Sequence, residues 1–175
     1  MHEVLESNEH GHNSEFLPVS LTMSILAVLV AGVTLLGHRA HTEELLQQAH
    51  ANDQWAFYQA KNIRRHNYKM FGDLLSLIKA EDSEHLKSLR EEYRKEFERY
   101  DKEKEDIQGE ARALEHERDV FQKRADRFDA GEGFLEIALV ISSLTLLSKR
   151  RIFWQIGILA GAAGVLVAIT GFWVH

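Results

Sequence analysis

Leu17 to Gly37 reads LPVSLTMSILAVLVAGVTLLG, 21 residues without a charge. At about 1.5 Å per residue, such a helix crosses a hydrocarbon core of roughly 30 Å. The spacing predicts a first transmembrane helix over 17–37, with Pro18, the only proline, expected in its first turn, where a missing N–H costs nothing. A cleaved signal peptide would need a basic flank. Residues 1–16 instead carry Glu3, Glu6, Glu9 and Glu15 and no Lys or Arg, so they read as an acidic, His-containing tail before an uncleaved anchor.

Two more apolar segments lie near the other end. Ile152–Val174 is an uncharged run with Trp154 and Trp173 near its ends, as expected of a transmembrane helix with interfacial anchors. Phe134–Leu147 is shorter and contains Glu136, but the Lys149-Arg150-Arg151 run stops it abruptly. Ile152 must then return at once, so residues 148–151 read as a tight basic turn between a second span, 134–147, and a third, 152–174. Gly157, Gly161 and Gly164 on the last span let a neighbouring helix approach closely and are the expected helix-packing residues.

The overall composition, 45% hydrophobic and 27% charged, hides this segregation. Eighteen of the 21 basic residues and 22 of the 27 acidic ones fall in 38–133. That block lacks proline and is rich in helix formers. Leu86, Tyr93, Tyr100, Ile107, Leu114, Phe121, Phe128 and Leu135 are seven apart, a heptad row. Ala49, Ala56, Ile63, Met70 and Leu77 form a second row, with Leu46, Asp53, Ala60, Asn67 and Leu74 as companions. The break falls at AEDSE, near 80–84, where Asp82 or Ser83 can cap a helix. These rows predict a helical hairpin stalk over 38–133, with Ala49, Ala56 and Ala60 facing Phe121 and Phe128. The expected fold is therefore an all-α membrane protein: three transmembrane helices, with a long antiparallel coiled-coil-like hairpin between the first and second.

The segment NDQWAFYQAKNIRRHNYKMF, 52–71, departs most from plain Glu/Lys helix composition. Together with the acidic His-containing tail and the basic SKRRIFW hairpin, it resembles a bacterial domain-of-unknown-function family, number 4337 in that series. The resemblance covers nearly the whole chain. It implies a small helical protein of the bacterial inner membrane, and carries with it no catalytic residue.

Chemistry-bearing groups are sparse. A net charge of -6 gives no footprint for nucleic acid. With no cysteine, thiol catalysis and Cys-ligated metals are excluded. No Ser/His/Asp arrangement, phosphate loop or paired carboxylate site stands out, so no catalytic or cofactor-binding residue is expected. His10 and His12 are candidate metal ligands, short of a complete set. His38 and His41 share one helix face just beyond the first span. Asn52, Asp53, Gln54, Trp55, Tyr58, Gln59, Lys61 and Asn62 form a polar and aromatic cluster, with Asp53, Gln54, Trp55 and Tyr58 at its head, suited either to a partner surface or to a network fixing helix register. Glu136 is the single charge within a predicted span, and intramembrane carboxylates are often functional. The expected function is a non-enzymatic, homo-oligomeric scaffold or an accessory subunit of a larger membrane complex. The alternative is a homo-oligomeric channel or transporter subunit using Glu136. Positive charge in the short 148–151 loop places that loop in the cytoplasm and the stalk outside it.

Overall fold

The computed structural model describes residues 2–77 and 84–174, with side chains from Phe16 onward. It is all helical among the described residues. Helix α1 is His2–Leu77, α2 is Glu84–Ser148 and α3 is Arg151–Thr170, followed by a 3-10 turn at Gly171–Trp173. The AEDSE turn expected near 80–84 lies mostly outside the described residues, which resume at its last residue, Glu84. That residue opens α2, where an acid complements the positive helix end.

α1 runs unbroken from the acidic tail, so Pro18 sits inside a helix and not in its first turn. Its absent N–H removes one i→i−4 bond, a cost of about 3 kcal/mol in a helix interior. Likewise Ala130-Gly131-Glu132-Gly133 is helical within α2. Between α2 and α3 only Lys149 and Arg150 leave the helix. Lys149 takes φ 56, the left-handed conformation usual at a helix C-terminus, and its N–H bonds the Thr145 carbonyl at 2.9 Å. Arg150 is extended and leads directly into α3.

The chain divides into two compact units, Met1–Glu43 with Val120–His175, and Glu44–Asp119. In the first, Leu26, Val33 and Ala40 of α1 pack with Ala125, Phe128, Leu135 and Ala138 of α2 and Ala168 of α3. Val19, Leu26, Val33 and Ala40 are seven apart and all buried. Outside this core the unit exposes Leu21, Ile25, Val28, Ile137, Val140 and Leu159. All three helices are long and apolar enough to cross a membrane. Several hydroxyls on the apolar segments bond carbonyls of their own helix: Thr22 to Pro18, Ser24 to Ser20 and Thr170 to Val167. Such bonds satisfy hydroxyls that lie on an apolar helix surface.

Close approach of α2 and α3 rests on absent side chains. A Cβ on Gly131 would lie 2.9 Å from the Gly164 carbonyl, and one on Gly164 would lie 2.8 Å from the Gly131 carbonyl. A Cβ on Gly157 would overlap the Ser142 hydroxyl, and one on Gly161 would meet the Leu26 Cδ2 methyl at 2.7 Å. Gly157, Gly161 and Gly164, the glycines of α3, thus face neighbours within the same chain. A backbone carbonyl cannot move aside, whereas a leucine methyl can rotate. Gly164→Ala should therefore lower thermal stability in detergent by about 1–3 kcal/mol and Gly161→Ala by less. Equal losses would show that both helices shift as bodies.

Candidate functional site

In the second unit, α1 and α2 pair largely side chain to side chain, and the partner numbers fall overall, from Arg118 opposite Gln48 to Arg90 opposite Leu75. Gln48 Oε1 accepts from Arg118 at 2.8 Å. Gln54 bonds Glu110, and the Trp55 indole N–H donates to Glu115 at 2.9 Å. Lys61 meets Glu103 at 2.5 Å and Arg65 meets Asp101 at 2.6 Å. Farther along, Arg90 donates to the Leu75 carbonyl at 2.8 Å.

Aromatic rings fill the space between these pairs. Tyr68 stacks on Tyr100 with centroids 5.6 Å apart and lies 5.7 Å from Tyr93. Lys61 sits 5.0 Å above the Tyr100 ring, and the Arg65 guanidinium lies 4.9 Å from the Phe97 ring. Cations over partly desolvated ring faces add to the attraction of the ion pairs. Arg64 and then Arg99 hold the Tyr100 hydroxyl below the ordinary phenolic range. A groove of about 420 Å³ opens beside it, lined by Arg64, Asn67, Tyr68, Phe71, Tyr93 and Tyr100.

This seam overturns the register expected for the first arm. Ala49, Ala56, Ile63, Met70 and Leu77 are all exposed, as are Leu46, Asp53, Ala60, Asn67 and Leu74. The inward row is Gln47, Ala51, Gln54, Tyr58, Lys61, Arg65, Tyr68, Gly72 and Leu75, each half-buried or buried. It too alternates steps of four and three, but is rotated by about 200° from the apolar row, at about 100° per residue. The physical reason is complementarity. The facing helix presents Tyr93, Tyr100 and Ile107 flanked by Asp101, Glu103, Glu110 and Glu115, and these acids need donors. Ala49, Ala56 and Ala60 are therefore left exposed. Phe128 packs instead near Gly37 and against Gly171 and Phe172, within the first unit. On α2 the heptad row Leu86, Tyr93, Tyr100, Ile107 and Leu114 does face inward.

The polar cluster of the first arm is divided by the same rotation. Gln54, Trp55 and Tyr58 turn toward α2, with Trp55 edge-on to Tyr58 at 5.5 Å, while Asp53 points outward among the exposed apolar residues. Sequence reasoning placed Lys61 in the polar cluster but missed Arg65 and Tyr68, which continue its row. Their four-three spacing was visible, but long polar side chains do not register as an apolar stripe.

The first unit has a polar layer of its own. His41 Nε2 lies 3.0 Å from Asp129, and Thr34 donates to Glu132 at 2.6 Å. Arg124 lies 5.4 Å from the Phe121 ring centroid and donates to the Val174 carbonyl at 3.3 Å. Beside it is a groove of about 160 Å³ whose lining includes Arg39, Glu43, Phe121, Arg124 and Phe172. His38 is exposed, so only His41 of that pair engages α2. Glu136 is exposed, whereas Glu132, one turn earlier, is the carboxylate that binds a partner. Ser142 and Thr145 are fully buried with hydroxyls that make no hydrogen bond. Trp154 donates to Thr22 at 3.1 Å, and Trp173 projects outward. The side chains of His10 and His12 lie outside the described residues. Among the described residues no three His, Asp or Glu side chains gather to hold a metal.

Among the described residues, these features define an all-helical protein with three helices long and apolar enough to cross a membrane and a polar-aromatic seam joining two long helical segments. The chain belongs to the family described as Domain of unknown function (DUF4337), whose model matches residues 17–174. No curated protein matches the chain, and no solved structure matches it.

The seam carries a pH signature. The hydrogen bond from Lys104, and after it that from Arg65, holds the Asp101 carboxyl below its usual range. That from Lys61 does the same for Glu103. A carboxyl depressed by folding contributes stability above its unfolded pKa of about 4 and loses it as pH falls through the folded value. Amide exchange across 44–119 should therefore quicken as pH falls below about 4, once corrected for intrinsic rates. Lys61→Met should weaken that acid response. A response unchanged by Lys61→Met would show that these pairs do not hold the seam.

Proposed function

We propose that this protein is a non-enzymatic, homo-oligomeric scaffold or accessory subunit of a bacterial inner-membrane complex. In this reading, residues 17–37, 134–147 and 152–174 are transmembrane helices around the basic turn 148–151. Residues 38–133 form an antiparallel helical hairpin, turning near 80–84, that acts as a docking stalk. The observation that carries the reading is the polar-aromatic seam. Salt bridges and ring contacts along two long helices specify one alignment, which suits a rigid element that others dock against. Nothing about the seam resembles a reaction centre: its paired charges bond one another, amides or an indole, and its grooves are open.

A channel or transporter subunit is the competing reading, with Glu136 supplied to a pathway between copies. Its support is weaker, because Glu136 sits on the outer surface of the first unit and several span hydroxyls bond their own helices.

Particle mass in mild detergent, followed by ion flux in liposomes, separates the two. A multi-copy particle without flux is expected. Selective flux abolished by Glu136→Gln would establish the channel, and a monomer would remove the scaffold. For orientation, the bases of 148–151 favour the cytoplasm and so an extracytoplasmic stalk. A cysteine at the exposed Ser88, in a chain without cysteine, should react with an impermeant thiol reagent in intact spheroplasts. Reaction only after lysis would place the stalk inside.

A further inference from the structure

Among the described residues of the second unit, all the exposed large apolar side chains lie on one of its two helices. They include Leu46, Phe57, Ile63, Met70, Leu74 and Leu77 of α1, and none lies on the α2 segment Glu84–Asp119. The outer face of that α2 segment is instead laced with local ion pairs, such as Arg94 with Glu91 and with Glu98. The α1 residues are not scattered. Leu46, Ala49, Ala56, Ala60, Ile63, Met70, Leu74 and Leu77 follow the four-three spacing of a heptad stripe, interrupted only by Asp53 and Asn67. A stripe of that period is the complement of another helix bearing the same stripe.

We infer that the stripe Leu46–Leu77 on α1 is the contact surface for a second copy of this chain, packed in parallel and in register. The inference rests on the oligomeric scaffold reading and specifies the face through which copies meet. Each copy enters the bilayer with the same polarity, so neighbouring α1 helices run in the same direction and at the same height. A second copy thereby sets Ile63 against Ile63 and Met70 against Met70 without further adjustment. Ile63 is 61% exposed and Leu77 76%. With roughly 100 Å² available from each large apolar side chain, the stripe and its flanking Leu45, Phe57 and Phe71 supply on the order of 800 Å² per copy. That is the area a stable interface needs. The flanking residues Asn52, Gln59, Arg64, His66 and Asp73 build no ladder of like charge.

Two stripe positions define the pairing further. Asn67 at a core position suits a two-stranded parallel arrangement, since paired amides bond across the axis only in register. Asp53 would face Asp53 of the second copy, and like charges weaken a helix pair. Removing that charge should therefore strengthen the contact, a response that a basic partner protein would reverse.

The test uses the full-length protein in membranes, with single cysteines at Ile63 or Met70 on the stripe and at Ala113, exposed on α2. Under mild oxidation Ile63→Cys and Met70→Cys should form disulfide-linked dimers at least about tenfold faster than Ala113→Cys, because a shared interface raises local concentration. Asp53→Asn should raise the linked fraction, and Ile63→Lys should reduce the particle mass with helical content unchanged. Equal rates at stripe and control positions would overturn the inference. A multi-copy particle whose stripe cysteines stay unlinked would overturn it and leave the scaffold reading standing. Single-copy particles without links would remove both.

Discussion

The pairing of Lys61 and Arg65 with Glu103 and Asp101 is the interaction on which the arrangement of the second unit depends. A helix with two candidate faces must choose one, and burying an apolar stripe would ordinarily decide the matter. Here the facing segment of α2 carries acids on both sides of its aromatic row. Rotating the apolar stripe of α1 inward would set methyl groups against those carboxylates and leave them without donors. Rotating the polar row inward gives each acid a cation, an amide or the Trp55 indole N–H, and gives Lys61 and Arg65 each a ring to lie on. Such pairs are individually modest where they are partly exposed. Repeated along one seam, they outweigh an apolar contact that a second surface can still satisfy.

The first unit is governed by different physics. In the membrane setting proposed above, hydrophobic burial between its own helices offers less, and close packing takes over. Gly131 and Gly164 bring two backbones within contact of each other, and Gly157 admits Ser142. These glycines are spent inside the chain. The association between copies proposed above is therefore assigned to the exposed stripe of α1 and not to the third span. Polar groups in this unit gather as His41 with Asp129 and Thr34 with Glu132. They lie where the apolar segments give way to charged sequence, and Glu132 was missed because the second span was counted from Phe134.

Helix content, the apolar segments, the basic turn and the inward row of α2 were all legible, because each is written as a period or a charge boundary within one stretch of chain. The heptad stripe of α1 was legible too, and its spacing is real. What misled was the assumption that an apolar stripe must meet the nearest helix. Trp55 and Gln54 were recognised as unusual, but their partners Glu115 and Glu110 are about sixty residues away and look like ordinary solvated acids.

Local sequence by itself determined that the chain is helical, where it is apolar enough to enter a membrane, and where it turns back at Lys149 and Arg150. Those properties depend on intrinsic propensity, hydrophobic length and the cost of moving charge into lipid. Only the tertiary structure decided which face of α1 turns inward and that Gly131 is the counterpart of Gly164. It also decided that Glu132, and not Glu136, finds a partner. Each of these depends on what stands opposite, and a heptad period specifies the rows on a helix without specifying which row its neighbour will accept.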